Sequence, residues 1–154
     1  HIGTARLNLS AAGLNDPLLQ NLAAEPYAQV THQESVLRLP AESKVLASVE
    51  LDPHHAIHYG NQTWGFQFHP EFSAEVIRMY IDARRQDIIS EGLDDQALEQ
   101  AVVATPNAES LLYQFRLICE QFTSNQAHAS LTSAGNSRSQ TTMDQGLGNL
   151  LGNL

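Results

Sequence analysis

The chain has 154 residues, 42% of them hydrophobic, enough for one domain with a sizeable core. Asp and Glu outnumber Lys and Arg 17 to 8, and the formal charge of −9 argues against nucleic acid or an anionic membrane as partner, because phosphate binding needs a basic footprint. No apolar run approaches the roughly 20 residues that span a bilayer, and the single cysteine makes no internal disulfide, which fits a reducing compartment and points to the cytoplasm.

The sequence opens at His1 and enters almost at once a strand pattern over Ile2 to Leu9, which reads as a truncated or processed piece of a longer protein. Gly13, Asn15, Asp16 and Pro17 form a turn cluster, and Leu18, Leu19 and Leu22 pack as one short helical turn. Tyr27 to Val30 is a second strand, leading into the polar run Thr31-His32-Gln33-Glu34-Ser35-Val36. Leu37 to Pro40 leads into a loop, and Lys44 to Leu51 then alternates, with Val45, Ala47, Val49 and Leu51 on one face of a half-buried strand. Asp52-Pro53 is a turn, Ala56 to Tyr59 a short strand, and Gly60-Asn61 a hairpin signal. Short neighbouring strands with tight turns imply an antiparallel extension of a sheet.

The His54-His55-x-x-His58 cluster with Asp52 invites a metal reading, since zinc takes three or four converging His, Cys or carboxylate ligands. On a strand His54 and His58 share a face while His55 points away. Surface histidines on a hairpin are the plainer reading, and no metal ligand is assigned.

Trp64-Gly65-Phe66-Gln67-Phe68-His69-Pro70-Glu71 reads as a buried strand that ends on a histidine. Pro70 cannot donate to a ladder, so the strand stops there and His69 faces a cleft. Glu71 can turn back to accept a hydrogen bond from the imidazole. A carboxylate behind a histidine fixes its tautomer and stabilises the cation formed on proton uptake, which suits general-base chemistry. Such a pair needs a nucleophile to activate.

Gly65-Phe66-Gln67-Phe68-His69-Pro70-Glu71 resembles the G-x-Q-F-H-P-E signature of class I (triad) glutamine amidotransferases. The I-G-T strand and the D-P-L-L segment are similar to the middle of that domain. The resemblance covers roughly residues 1 to 90 and only the latter part of the family domain, with a texture closest to GMP synthase-like relatives. It implies that His69 is the base and Glu71 its orienting acid in a Cys-His-Glu triad that hydrolyses glutamine to glutamate and ammonia. It also implies that Thr31, Gln33 and Glu34 hold the amino acid end of glutamine, with His32 supporting the loop. The family nucleophile sits in a G-x-C-x-G elbow, and no such run occurs in this sequence. The resemblance therefore implies an inactive chain whose partners are glutamine, a missing N-terminal half carrying the cysteine, and a synthetase domain or subunit that takes the ammonia. No phosphate-cradling Gly-rich loop occurs, so no cofactor is expected.

After Glu71, Ser73 is a candidate N-cap with Glu75 in the first turn, and Val76, Ile77, Tyr80, Ile81, Ile88 and Ile89 supply an apolar stripe that weakens around Ala83 to Asp87. Gly92 is a C-terminal stop. Asp94-Asp95 opens a helix to about Ala104, with Leu98, Ala101 and Val102 inward, and Thr105-Pro106 starts another. That last helix has Leu111, Leu112, Phe115, Ile118, Cys119 and Phe122 on one face, so Cys119 reads as a small core hydrophobe and not a nucleophile. From Thr123 the composition turns to Ser, Thr, Asn, Gln, Ala and Gly, a linker-like tail.

The fold expected is α/β: a partial flavodoxin-like amidotransferase sheet with an antiparallel extension, over residues 1–91, then a helical extension over 92–123 and a low-complexity tail over 124–154. A sheet cut in this way leaves strand edges and apolar faces open, so the chain is expected to pair with its missing half or with a second copy. Two alternatives stand beside the amidotransferase reading. One is a non-catalytic binding or assembly module of the same fold. The other is a metal-dependent enzyme using His54, His55 and His58.

Overall fold

The computed structural model describes residues 1–125. Contacts divide the chain into two units, His1–Phe115 and Arg116–Leu154. In the first unit, β1 (Ile2–Arg6), β3 (Tyr27–Thr31) and β7 (Phe68–His69) form a sheet in the order β1-β3-β7. A second sheet runs β2-β4-β5-β6, from β2 (Asn8–Leu9), β4 (Lys44–Val49), β5 (Asp52–Gly60) and β6 (Thr63–Phe66). The architecture is mixed α/β with antiparallel sheets followed by helices, and the antiparallel character extends to every pairing among the described residues.

Two stretches that read as single strands change sheet partway. Ile2 to Leu9 breaks at Leu7, whose amide donates to the Pro26 carbonyl at 2.6 Å while its side chain is buried. The signature strand breaks at Gln67. Its amide donates to the His55 carbonyl at 2.9 Å and its side-chain Nε2 to the Glu34 carbonyl at 3.2 Å. Residues before Gln67 therefore ladder with β5 and those after it with β3. Phe66 and Phe68 stack across the break, ring centroids 4.7 Å apart.

The connections explain the remaining shifts from expectation. Between β1 and β3, Ser10 caps the short α1 (Ala11–Leu14), its Oγ accepting from the Gly13 amide at 3.0 Å. A Cβ on Gly13 would meet the Leu46 carbonyl oxygen at 2.1 Å, so only glycine fits there. The helical turn expected at Leu18 to Leu22 is a 3₁₀ segment, Gln20–Ala24, preceded by Asp16, whose carboxylate caps the amides of Leu18 and Leu19. In β4 the strict alternation fails. Register shifts lie between Val45 and Ala47 and between Ala47 and Val49, Leu46 is buried beside Ala47, and Leu51 is 84% exposed in the turn. That turn falls at residues 50–51, before Asp52, because Val49 pairs with Asp52 and closes the hairpin. The next hairpin turns on Asn61 (φ 46°) and Gln62 (φ 59°), two left-handed residues as a primed turn requires, one position beyond the expected Gly60-Asn61.

Ser73 caps α2 (Ala74–Ala83), its Oγ accepting from the Val76 amide at 3.4 Å. Ile77 and Ile81 of α2 pack with Ile2, Ile88 and Val102 in one apolar cluster, each contributing about 1.5–3 kcal/mol by burial. The weak part of the apolar stripe is a real interruption: α2 ends at Arg84 and α3 (Arg85–Ser90) begins there. Asp94 caps α4 (Asp95–Gln100), which is shorter than expected, and Ala101 is exposed rather than inward. The chain leaves the helix because residues 102–105 are bonded elsewhere. The Val102 carbonyl accepts from Arg78, the Val103 amide donates to Thr4 Oγ1, and the Val103 carbonyl accepts from Gln29 Nε2 at 2.7 Å.

Residues 106–115 are helical after Thr105, with Ala108 and Leu111 buried. In the second unit, residues 116–125 are helical and Cys119 is exposed, which corrects its reading as a core hydrophobe. The stripe that suggested burial is not sealed there, since Phe122 is exposed as well. Most of the tail expected over 124–154 lies outside the described residues. No described helix is long and apolar enough to cross a membrane.

Candidate active site

His69 closes β7, paired with Gln29 across the ladder, and Pro70 then ends the strand. A turn follows in which the Phe72 amide donates to the His69 carbonyl at 3.3 Å, and Ser73 starts the helix. This tight return brings Glu71 back onto the ring: His69 Nδ1 lies 2.8 Å from Glu71 Oε1. An ionised carboxylate only accepts, so in the neutral ring the proton sits on Nδ1 and Nε2 carries the lone pair. Phe72 stacks on the imidazole with centroids 4.3 Å apart and planes 10° from parallel, and Tyr80 backs Phe72 at 5.1 Å. The ring is thus held at one nitrogen and one face.

The pair is half open. The His69 side chain is 30% exposed and that of Glu71 51%. Burial by itself would raise the Glu71 carboxyl, but the bond from His69, its own backbone amide and the His69 charge outweigh it and hold the group below the ordinary carboxylate range. Beside Pro70 lies a mostly apolar hollow of about 200 Å³, lined by Leu18, Trp64, Phe66 and Leu111 among others. Trp64 is anchored there, its Nε1 donating to the Asp16 carboxylate at 3.2 Å.

Thr31 pairs with Ile2 at the end of β3, two residues beyond Gln29 and so on the sheet face shared by Gln29 and His69. Gln33 lines a small cleft with His1, Ile2, Arg84 and Asp87. Glu34 meets the site through its backbone, its carbonyl accepting from Gln67 Nε2 and from His32 Nδ1. The chain therefore brings Thr31 to the His69 face, ties Glu34 to the signature segment by a main-chain bond, and turns Gln33 to a separate cleft.

The three histidines of β5 go separate ways. His54 Nδ1 donates to the Val36 carbonyl at 2.6 Å, His58 stacks on Trp64 at 4.9 Å, and His55 is buried against Asp52 at 3.3 Å. The donors that do come together are His32, Asp52 and His55, with one ligand atom from each within 4.8 Å of the others. That grouping was not visible in the spacing, because His32 lies a long way along the chain. Gln29 was also missed: fully buried, it accepts from Thr4 Oγ1 and donates to the Val103 carbonyl, tying β1, β3 and the segment after α4 together under His69.

Comparison with known proteins gives a consistent picture. The family model "Glutamine amidotransferase class-I" matches residues 1–83. The glutamine amidotransferase-like protein YfeJ of Salmonella typhimurium is 31% identical over 87 residues, 56% of this chain and 36% of that protein. Gamma-glutamyl peptidase 5 of Arabidopsis thaliana is 32% identical over 92 residues, 59% of this chain and 35% of that protein. The chain thus spans about a third of the length of these curated relatives. The crystal structure of SMU.1228c superposes with a TM-score of 0.56 at 23% identity, covering 75% of this chain and 50% of that one, which supports the shared fold.

Proposed function

The chain belongs to the class-I glutamine amidotransferase family, and we propose that it supplies the proton-handling half of a γ-glutamyl amide hydrolase, with His69 as general base and acid and Glu71 as its orienting carboxylate. The observation that carries this reading is the 2.8 Å bond from His69 Nδ1 to Glu71 at the end of a strand, with Nε2 left free. Glutamine's side-chain amide and a γ-glutamyl peptide bond differ only in the leaving amine, so the chemistry fits both kinds of relative. Glutamine is the substrate we propose.

In this scheme a cysteine outside these residues gives its proton to His69 Nε2 and its thiolate attacks the amide carbon. The carbon–nitrogen bond breaks as His69 passes the proton to the departing ammonia. Water then attacks the thioester with His69 taking its proton, the carbon–sulfur bond breaks, and glutamate leaves. Thr31, on the His69 face, and Glu34, tied to the signature segment through its carbonyl, hold the amino acid end of the substrate, and a synthetase partner consumes the ammonia. The absence of a G-x-C-x-G run from the sequence supports an external thiol.

The test is glutamate release from glutamine after joining the chain to a cysteine-bearing upstream segment of the family. Activity that disappears with His69→Ala supports the reading. A correctly folded, glutamine-binding fusion that stays inactive overturns it in favour of a non-catalytic module.

A further inference from the structure

We propose that His32, Asp52 and His55 form a divalent transition-metal site that clips the two sheets together. The site is separate from the His69–Glu71 pair and does not depend on any amidotransferase activity.

Two observations carry it. First, the donor atoms already converge, one from each residue within 4.8 Å of the others, and His55 Nδ1 lies 3.3 Å from Asp52 Oδ2. An ion that takes Asp52 therefore takes His55 through Nδ1, in place of the proton the two now share, since Nε2 points to the opposite side of the ring. Second, His32 is prepared as a ligand. Its Nδ1 lies 3.0 Å from the Glu34 carbonyl, which can only accept, so Nδ1 carries the proton and Nε2 a lone pair, buried without a hydrogen-bond partner among the described residues. Metal-binding histidines show this arrangement, with the second ring nitrogen donating to a carbonyl.

Two nitrogens with one oxygen suit zinc or a similar borderline ion. The ring of His1 stands 5.6 Å from that of His32 and 6.3 Å from that of His55.

The placement says what the ion does. His32 follows β3 in one sheet, and Asp52 and His55 belong to β5 in the other. His55 also stacks on Phe68, next to His69. A bound ion would therefore lock the seam on which the signature strand rests.

The full chain, stripped with chelator, is titrated with zinc(II) alone by calorimetry while imidazole ¹⁵N resonances are followed by NMR. The expected result is one ion per chain, a coordination shift at His32 Nε2 and His55 Nδ1, and a higher melting temperature. His32→Gln, whose site is less buried than that of His55 and disturbs folding least, abolishes the shift at His55. Asp52→Asn, which alters a ligand and not only an outer-shell partner, weakens binding by more than about tenfold. His54→Gln with His58→Gln leaves binding unchanged. No stoichiometric binding, or ¹⁵N shifts confined to His54, His58 or His69, overturns the proposal.

Discussion

Two of the described histidines carry a carboxylate behind Nδ1, and they end in opposite circumstances. His69 and Glu71 sit two residues apart across a turn at a strand end, 2.8 Å from each other and partly open to solvent. His55 and Asp52 sit three apart along β5, 3.3 Å from each other, with side chains 0% and 2% exposed. The local chemistry is the same and the surroundings decide its use. An imidazole that water and substrate can reach can take and release protons. One that is sealed stays neutral, so its contact with Asp52 is a charge-assisted hydrogen bond and not an ion pair. A His–carboxylate pair becomes informative only when its burial is known.

Substitution should separate the two pairs. The largest effect belongs to the open one: in the reconstituted enzyme, His69→Ala should lower kcat/KM about 10²- to 10⁴-fold, with Glu71→Gln close behind, both with nearly unchanged melting in denaturant. The sealed pair should behave in reverse. In metal-free protein His55→Ala should cost about 2–3 kcal/mol in urea unfolding, because it strips a hydrogen bond from a buried carboxylate. Smaller again is Ser73→Ala, which removes the cap of the helix that follows Glu71. A loss of about 1 kcal/mol is expected, checked by the same unfolding curves.

The smallest effect is a pH dependence in which the share of the open pair is read against that of Asp52, whose carboxyl is also depressed. Glu71 is depressed below its ordinary 4.5, so near that pH the unfolded chain binds more protons than the folded one. The stabilisation is present above about 4.5 and fades as pH falls through the lower folded value. Melting temperature against pH should show this shoulder, and Glu71→Gln should remove the Glu71 part and leave that of Asp52.

Much of this was legible locally. The Ser73 and Asp94 caps, the Gly92 stop and the return of Glu71 onto His69 depend on residues a few positions apart, and the sequence pattern exposes them. The mixed α/β class with antiparallel sheets and C-terminal helices was legible too. What escaped reading is what distance along the chain hides. Alternation cannot reveal that a strand changes partners at Leu7 or Gln67, or that β4 slips register. Nor can it show that Gln29 bonds to Val103, or that His32 comes to Asp52 and His55. Cys119 was misjudged because a helical stripe shows which residues share a face, not whether anything covers that face.

The partner change at Gln67 has a consequence for how the first unit comes apart. One main-chain amide bonds to β5 on a segment whose next two residues ladder with β3, so neither sheet can peel away while the other persists. In deuterium exchange the Gln67 amide proton should be among the slowest in the chain, released only when the whole unit opens.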